Sequence, residues 1–276
     1  GCSMCRWLAY SGGSIPLEDL LFKPKHNLID QSMSSRSKDT PTNGDGFGVG
    51  WYGDREQPGL FRSTQPAWND TNLRDLATHI ESPLFLAHVR ATSLATVQQT
   101  NCHPFRYRNW LFVHNGEIEE VQRFRRELLM AVDPAIFENI LGSTDSEIMF
   151  HLALTFGLES DPQGAIQRMV GFVEKTARSY GVKQAIWMTL GVSDGTSLYA
   201  ARYASGPDAP TLYHSPSMKD LHRINPGAAE RLGDSAFAIV SEAIGPHTKT
   251  WTLVPESSFL HVQGGKIEVK RFHPQA

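Results

Sequence analysis

Two groups of short strand-like runs, separated by a helical middle section, constrain the fold of this chain more than any other feature. The runs of the first half are apolar or alternate in polarity and are bounded by Gly, Pro, Asn or Asp: Cys5 to Tyr10, Gly46 to Trp51, Leu84 to Ala91 and Trp110 to His114. Those of the last third are Ala185 to Val192, Ser197 to Tyr203, Ala236 to Ala243, Trp251 to Val254 and a hairpin from Ser258 to Phe272. These runs predict the strands of an α+β protein.

Helical spacing of apolar residues marks the segments between the two groups. The predicted helices are Leu17 to Phe22, a helix capped by Asp70, Val121 to Val132, Asp145 to Phe156 behind a Thr144 or Ser143 cap, and Gln163 to Ser179. Two sheets packed face to face with helices outside is the simplest layered solution for this order of elements.

Size and charge limit the classes of protein to which the chain can belong. With 276 residues, 40% of them hydrophobic, we expect one domain over residues 5–276, with residues 1–4 as a leader or expression remnant. A net charge of -3 predicts no nucleic-acid or anionic-membrane partner. The apolar runs are far shorter than the ~20 residues of a membrane span. Three cysteines cannot form an even disulfide framework, so we expect the protein to be cytoplasmic.

A cysteine that follows a methionine opens the first strand. If Met4 is the true start, its removal leaves Cys5 with a free α-amine of pKa near ~7.7, which can act as base for its own thiol. The alternative is an accidental thiol near a terminus. The leader as written blocks the amine of Cys5 with a peptide bond.

Three further segments offer the other groups that thiol-dependent amide cleavage needs. Asn115 and Gly116 can supply a side-chain amide and a backbone N–H to an oxyanion, although Asn-Gly is more often a turn. Arg90 ends an apolar strand and can hold a carboxylate, with Thr92 and Ser93 beside it; a surface ion pair is the alternative. Asp145 can accept from an α-ammonium group, or it can simply cap its helix.

Other chemistries find less support in the sequence. Cys102 and His103 are neighbours, and in a strand they would point to opposite faces, which argues against a catalytic pair. No spacing of cysteines or histidines predicts a zinc site, and we expect no metal and no cofactor. The glycine-rich run from Gly44 to Gly50 continues into a strand, so we interpret it as close backbone packing beside the strand of Cys5.

Six ordered motifs resemble the class II glutamine amidotransferases. They are Met4-Cys5-Arg6-Trp7-Leu8, Asn43-Gly44-Asp45-Gly46-Phe47-Gly48-Val49, Ala87-His88-Val89-Arg90-Ala91-Thr92, Asn101-Cys102-His103-Pro104-Phe105, His114-Asn115-Gly116 and Ser143-Thr144-Asp145-Ser146-Glu147. The resemblance implies the four-layer αββα sandwich of an N-terminal nucleophile (Ntn) hydrolase. It also implies Cys5 as nucleophile, Asn115 and Gly116 as oxyanion donors, and Arg90 and Asp145 as carboxylate and ammonium anchors.

One motif departs from the pattern of this family. Many members carry Arg-Gly-x-Asp where this chain has Thr42-Asn43-Gly44-Asp45, so the role of that arginine falls to Arg36 or is lost. The similarity is strongest to stand-alone members, which implies a γ-glutamyl hydrolase acting through a thioester on a small γ-glutamyl substrate, with room for a peptidase partner.

Two alternatives to this function remain from the sequence. One is a glutaminase subunit that supplies ammonia to a separate synthase partner, and the other is a non-catalytic γ-glutamyl-binding protein with a blocked Cys5. Discrimination between substrates would come from beyond the scissile bond, where the polar loop from Ser32 to Thr42 and Trp68 are candidates. The alternative for Trp68 is plain burial.

Overall fold

Two antiparallel sheets form the centre of the protein. The computed structural model describes residues 5–33, 44–91, 96–218, 230 and 232–275. Within them, seven strands form the first sheet: β1 (Arg6–Pro16), β2 (Phe47–Trp51), β3 (Gly59–Ser63), β4 (Glu81–Val89), β9 (Tyr213–His214), β10 (Phe237–Val240) and β11 (Thr252–Leu253). Six form the second: β5 (Phe105–Tyr107), β6 (Trp110–Ile118), β7 (Ile186–Ser193), β8 (Leu198–Ala204), β12 (Ser258–Gln263) and β13 (Lys266–Arg271).

The strand orders place β1 and β6 inside their sheets. The first sheet runs β11-β9-β10-β1-β4-β2-β3, and the second runs β13-β12-β8-β7-β6-β5. In the first sheet β1 pairs with β4 so that Arg6 lies opposite Val89. In the second, β6 pairs with β7 from Leu111 to Ile118, with Asn115 opposite Thr189 and Gly116 opposite Met188.

Helices cover the outer face of each sheet. The first sheet carries α1 (Glu18–Leu21), α2 (Leu28–Met33) and α3 (Thr71–His79), whose apolar side chains share one buried cluster with it. The second carries α4 (Arg125–Met130), α5 (Pro134–Phe137), α6 (Asp145–Thr155) and α7 (Pro162–Ser179) in a larger cluster. The predicted four-layer αββα sandwich is confirmed.

Alternation along β1 explains how one strand serves two cores. Trp7 and Ala9 face the second sheet, whereas Leu8 and Tyr10 face the helices outside, because successive side chains of a strand point to opposite faces. The Trp7 indole also donates a hydrogen bond of 3.1 Å to the hydroxyl of Thr189 in β7. Both residues are fully buried, so this bond joins the two sheets inside the inner core.

Several local predictions are confirmed by hydrogen bonds at helix starts. The Asp70 side chain accepts from the Leu73 N–H at 3.0 Å at the start of α3. Thr144, rather than Ser143, caps α6, since its hydroxyl accepts from the Glu147 N–H at 3.1 Å. None of the helices in the described ranges is long and apolar enough to cross a membrane. A single domain over residues 5–276 remains a prediction.

Other predictions need correction. The helix expected from Val121 to Val132 is a 3-10 turn over Val121–Arg123 followed by α4. The glycine-rich strand β2 lies beside β4 and not beside β1, although its glycines do pack closely. Gly48 is the clearest case, because a Cβ atom there would collide with the carbonyl oxygen of His103.

Candidate active site

One cavity of about 350 Å³ is lined by four of the predicted site residues: Cys5, Arg90, Gly116 and Asp145. It lies where β1 begins and β4 ends, against β6 and the start of α6. Its lining combines a thiol, a guanidinium, carboxylates, hydroxyls and imidazoles: Cys5, Arg90, Ala91, Thr96, His103, His114, Gly116, Glu117, Ile118, Val121, Gln122, Arg125, Ser143, Thr144, Asp145 and Ser146. Four segments that are distant in sequence therefore meet around one space.

Cys5 sits immediately before β1, with its Sγ atom beside the end of β4. The thiol lies 3.3 Å from the Ala91 carbonyl oxygen, to which it can donate, and 3.5 Å from the Ala91 nitrogen. Burial raises the pKa of the thiol, while the Ala91 hydrogen bond and the charges of Arg90 and Arg6 pull this pKa downward. Because burial is the largest of these effects, the Cys5 thiol needs a base to become a nucleophile at neutral pH.

Arg6 fixes the backbone on the other side of Cys5. Its guanidinium pairs with Glu242 at 2.7 Å and donates to the carbonyl oxygen of Cys5 at 3.2 Å. The Arg6 side chain is almost fully buried, so these contacts hold the first peptide of β1 in place.

Arg90 follows β4 and is 3% exposed. Its Nη1 atom donates to the Thr96 carbonyl oxygen at 3.2 Å, and its own backbone pairs with Asp45 and Gly46. Arg90 lines the same cavity as Cys5, and a guanidinium is suited to binding an anionic group. Thr92, Ser93 and Arg36 lie outside the described residues.

Asp145 is the first residue of α6, but Thr144 is the cap. Instead of capping, the Asp145 carboxylate accepts from the Ile118 N–H and the Ser146 N–H, each at 2.8 Å. These two bonds hold both carboxylate oxygens of Asp145 in place at the cavity wall.

Asn115 and Gly116 lie inside β6 and do not form a turn. Gly116 has φ of +144°, and a Cβ atom there would collide with the Trp187 carbonyl oxygen of β7, so this position requires glycine. Gly116 borders the cavity. Asn115 is 3% exposed, and its Oδ1 atom has no hydrogen-bond partner among the described residues.

Three buried histidines lie close together, and two of them, His103 and His114, line the cavity. The rings of His88 and His103 stack with centroids 4.0 Å apart, and the His88 Nε2 atom donates to the His114 carbonyl oxygen at 3.0 Å. His114 Nδ1 lies 2.7 Å from the Ser146 hydroxyl. Burial lowers the pKa of His88 to about 3 and that of His114 to about 4, and it holds the pKa of His103 well below its usual value.

Two of the predicted site residues that the structure describes, Asn115 and Trp68, are not among the residues that line the cavity, and neither is Cys102. Trp68 belongs to a 3-10 turn over Ala67–Asn69, where it packs partly buried against the outer core of the first sheet. Cys102 follows a 3-10 turn over Gln99–Asn101 and does not lie in a strand. Its Sγ atom is near the carbonyl oxygens of Ser63 and Gln98.

Sequence reasoning missed several residues of the cavity wall. Gln122 and Arg125 come from the turn before α4 and from its first residue, three positions apart. That spacing alone puts two side chains on one side of a helical turn, but it does not say what they face. Thr96 and Ser143 carried no signal in the sequence beyond their nearness to Arg90 and Asp145.

A larger cavity of about 460 Å³ lies outside the first sheet, between β10 and the start of α1. Its lining is mostly apolar, with Phe237, Ile244 and Trp251 among its residues, and among the described residues it includes none of the predicted site residues. In the described part of the chain no cluster of three His, Cys, Asp or Glu is arranged to hold a metal ion.

Fold and comparisons together define the class of this protein. The sandwich resembles that of the phosphoribosylpyrophosphate amidotransferase of Bacillus subtilis, with a TM-score of 0.64 over 98% of this chain and 50% of that one. At 14% identity this likeness shows the fold alone, which is that of Ntn-type glutamine amidotransferases. A class II glutamine aminotransferase domain protein from Silicibacter pomeroyi is more similar, with a TM-score of 0.74 and 35% identity over 98% of this chain and all of that one.

Sequence comparison gives the family. The profile of "Glutamine amidotransferases class-II" matches residues 26–263, a range that begins after Cys5. The "probable glutamine amidotransferase DUG3" of Saccharomyces cerevisiae is 32% identical over 94% of this chain and 82% of its own length. The γ-glutamyl-hercynylcysteine sulfoxide hydrolase of Mycolicibacterium smegmatis is 30% identical over 63% of this chain and 72% of its own. The chain belongs to the class II glutamine amidotransferases.

The buried histidines make stability depend on pH. The unfolded chain protonates each histidine near pH ~6.5, whereas the folded protein keeps His103 neutral. The free energy of unfolding is therefore expected to fall as pH drops below about 6.5, because the unfolded state then binds more protons. His103→Phe should reduce this pH slope by about one proton, or ~1.4 kcal/mol per pH unit, just below pH ~6, where the unfolded histidine is mostly protonated.

Denaturant unfolding at several pH values measures this slope. His79→Phe serves as control, because His79 is exposed on α3. Equal slopes for wild type and His103→Phe would show that His103 is not held neutral.

Proposed function

We propose that this protein cleaves the γ-glutamyl amide bond of glutamine or a γ-glutamyl peptide through a γ-glutamyl thioester on Cys5. One observation carries the proposal: Cys5, Gly116, Arg90 and Asp145 line one cavity. Thiol, oxyanion donor, cation and anion are the groups that hydrolysis of an α-amino acid amide requires.

In the proposed reaction the α-amine of an unblocked Cys5 takes the proton of the Cys5 thiol. The thiolate attacks the γ-carbonyl carbon, and the resulting oxyanion accepts from the Asn115 amide and the Gly116 N–H. Collapse breaks the C–N bond, and the leaving amine takes the proton from the Cys5 α-ammonium. Water then attacks the thioester, gives one proton back through the α-amine to the sulfur, and releases glutamate.

The two ends of the glutamyl group have matching partners in this proposal. Arg90 would hold the α-carboxylate, and Asp145 would hold the α-ammonium. Asp145 is suited to this, since its two backbone bonds fix the carboxylate before a ligand arrives. Thr92, Ser93 and Arg36 remain predicted substrate contacts.

The leaving group is the less determined part of the substrate. Relatives of this chain include a protein whose name makes it a γ-glutamyl-hercynylcysteine sulfoxide hydrolase, which favours a γ-glutamyl substrate larger than glutamine. In the described cavity wall, Gln122 and Arg125 rather than Trp68 are the candidates to contact such a group. The proposed hydrolysis leaves room for a peptidase partner. A glutaminase subunit that supplies ammonia to a synthase and a binding protein with blocked Cys5 remain alternatives.

Activity should require a free amine on Cys5. A protein that begins at Cys5 should be active, with a rate that rises as pH passes the amine pKa near ~7.7, and a protein that begins at Gly1 should be nearly inactive. Cys5→Ala should lower glutamate release at least about a thousandfold, whereas Cys102→Ala should retain it. Equal activity from both N-termini would disprove the amine as base.

The anchors should respond to changes that preserve charge or shape. Arg90→Lys keeps the positive charge but loses the planar fork, and Asp145→Asn loses the negative charge, so each should lower kcat/KM by about tenfold to a hundredfold. The matched controls are Arg106→Lys and Asp194→Asn, whose side chains bond to backbone groups away from the cavity. Normal kinetics for both anchor variants would remove them from the site.

A γ-glutamyl peptide such as glutathione should be cleaved better than glutamine. If the guanidinium of Arg125 pairs with a carboxylate in the leaving group, Arg125→Gln should lower kcat/KM for glutathione about tenfold and leave that for glutamine unchanged. Arg126→Gln, which changes an exposed neighbour outside the cavity lining, is the control. Glutamate release from both substrates, with and without co-purified partners, measures the preference; a consistent preference for glutamine would favour the ammonia-supplying subunit.

A further inference from the structure

Asn101 is a fully buried residue that lies behind the cavity wall. Its side-chain amide connects two chain segments that do line the cavity. The Nδ2 atom donates to the Thr96 carbonyl oxygen at 2.9 Å and to the Ser143 hydroxyl at 3.0 Å. The Oδ1 atom accepts from the Ser143 N–H at 2.8 Å. One side chain thus joins both segments, and it uses its donors and its acceptor to do so.

Each of the two segments is tied to one of the proposed anchors. Arg90 donates to the same Thr96 carbonyl oxygen that Asn101 contacts. Ser143 is followed by the cap Thr144 and then by Asp145, at the start of α6. The path from guanidinium to carboxylate therefore runs through Thr96, Asn101 and Ser143.

The loop on the Asp145 side has little freedom to move independently. Glu147 accepts from the Leu141 N–H at 2.9 Å and from the Gly142 N–H at 2.7 Å. A Cβ atom at Gly142 would collide with the Asn101 Oδ1 atom, so the loop backbone lies directly on the amide. Displacement of the Asn101 amide would consequently move this loop.

We infer that Asn101 is a positioning residue that sets the separation between Arg90 and Asp145, and so makes the site selective for ligands that carry both an α-carboxylate and an α-ammonium group. The inference rests on the proposed function. A preformed separation favours a ligand that uses both anchors at once, because neither anchor then has to be reordered. A ligand that uses one anchor gains little from it.

Binding of three small acids tests this inference without catalysis. Glutamate carries both α-groups, glutarate lacks the α-ammonium, and 4-aminobutyrate lacks the α-carboxylate. Asn101→Ala should weaken glutamate binding about tenfold to a hundredfold, because it removes three buried bonds. Its effect on glutarate and 4-aminobutyrate should stay within about threefold, which NMR titration of each ligand can measure.

Two further variants keep the test decisive. Asn101→Asp has the same shape and can still accept from the Ser143 N–H but cannot donate to Thr96, so it should lower glutamate affinity even if Asn101→Ala folds poorly. Asn109→Ala is the matched control, since its amide bonds to the Asp194 carbonyl oxygen at 3.0 Å, away from the cavity. In turnover assays Asn101→Asp should raise KM while kcat changes by no more than about threefold.

The outcomes separate this inference from the proposed function. If wild type binds glutamate and both Asn101 variants bind it equally well, the positioning role is wrong and the site assignment stands. An equal loss for all three ligands would likewise overturn the role, since it would indicate general damage. If wild type binds none of the three acids, the proposed glutamyl site itself is wrong, and the positioning role falls with it.

Discussion

The antiparallel pairing of β1 with β4 is the constraint on which the candidate site depends. Because Arg6 lies opposite Val89, the residue before β1 and the residue after β4 lie at the same end of these two paired strands. Cys5 and Arg90, more than eighty positions apart in sequence, become neighbours in this way. The ion pair between Arg6 and Glu242, which follows the neighbouring strand β10, holds the start of β1 from its other flank. A shift in this register would separate the proposed nucleophile from its proposed anchor.

The second sheet and α6 complete the site from the opposite side. β6 brings Gly116 to the cavity, and α6 brings Asp145 with its carboxylate held by the N–H of Ile118, the last residue of β6. The anion therefore sits at a helix start and is bound to the strand that carries the proposed oxyanion donors. The proposed chemistry therefore uses residues from both sheets and from α6.

Much of this architecture was predictable because its signals are local. Apolar or alternating runs of residues predicted the long strands. Capping residues at Asp70 and Thr144 predicted the starts of two helices. Short elements such as β3, whose residues are all half-buried, give no such alternation. Asn115 and Gly116 show another limit of local signals. The Asn-Gly dipeptide favours a turn and the predicted strand ends at His114, but β6 continues to Ile118 because it pairs with β7.

Candidate site residues could be predicted where the chemistry of a single side chain suggests a role. Residues whose role depends on contacts with other segments could not be predicted from the sequence. Arg90 and Asp145 have ionisable side chains, so the residue type alone indicates which ligand group each could bind. The histidine cluster and the Asn101 bridge arise from residues in separate segments that meet only in the fold. Trp68 illustrates the same limit, since a large aromatic residue in a loop gives no sign of which surface it will cover.

The hydrogen bond between Trp7 and Thr189 has a consequence for the whole sandwich. The proposed nucleophile precedes a strand of one sheet, and the proposed oxyanion donors lie in the other sheet. The proposed reaction therefore requires that the two sheets be correctly aligned with each other. A slip by one residue step, about 3.3 Å, would leave each sheet intact and still carry the thiol out of reach of the donors. The hydrogen bond between Trp7 and Thr189 opposes such a slip close to the site, because Trp7 is two positions from Cys5 and Thr189 lies opposite Asn115.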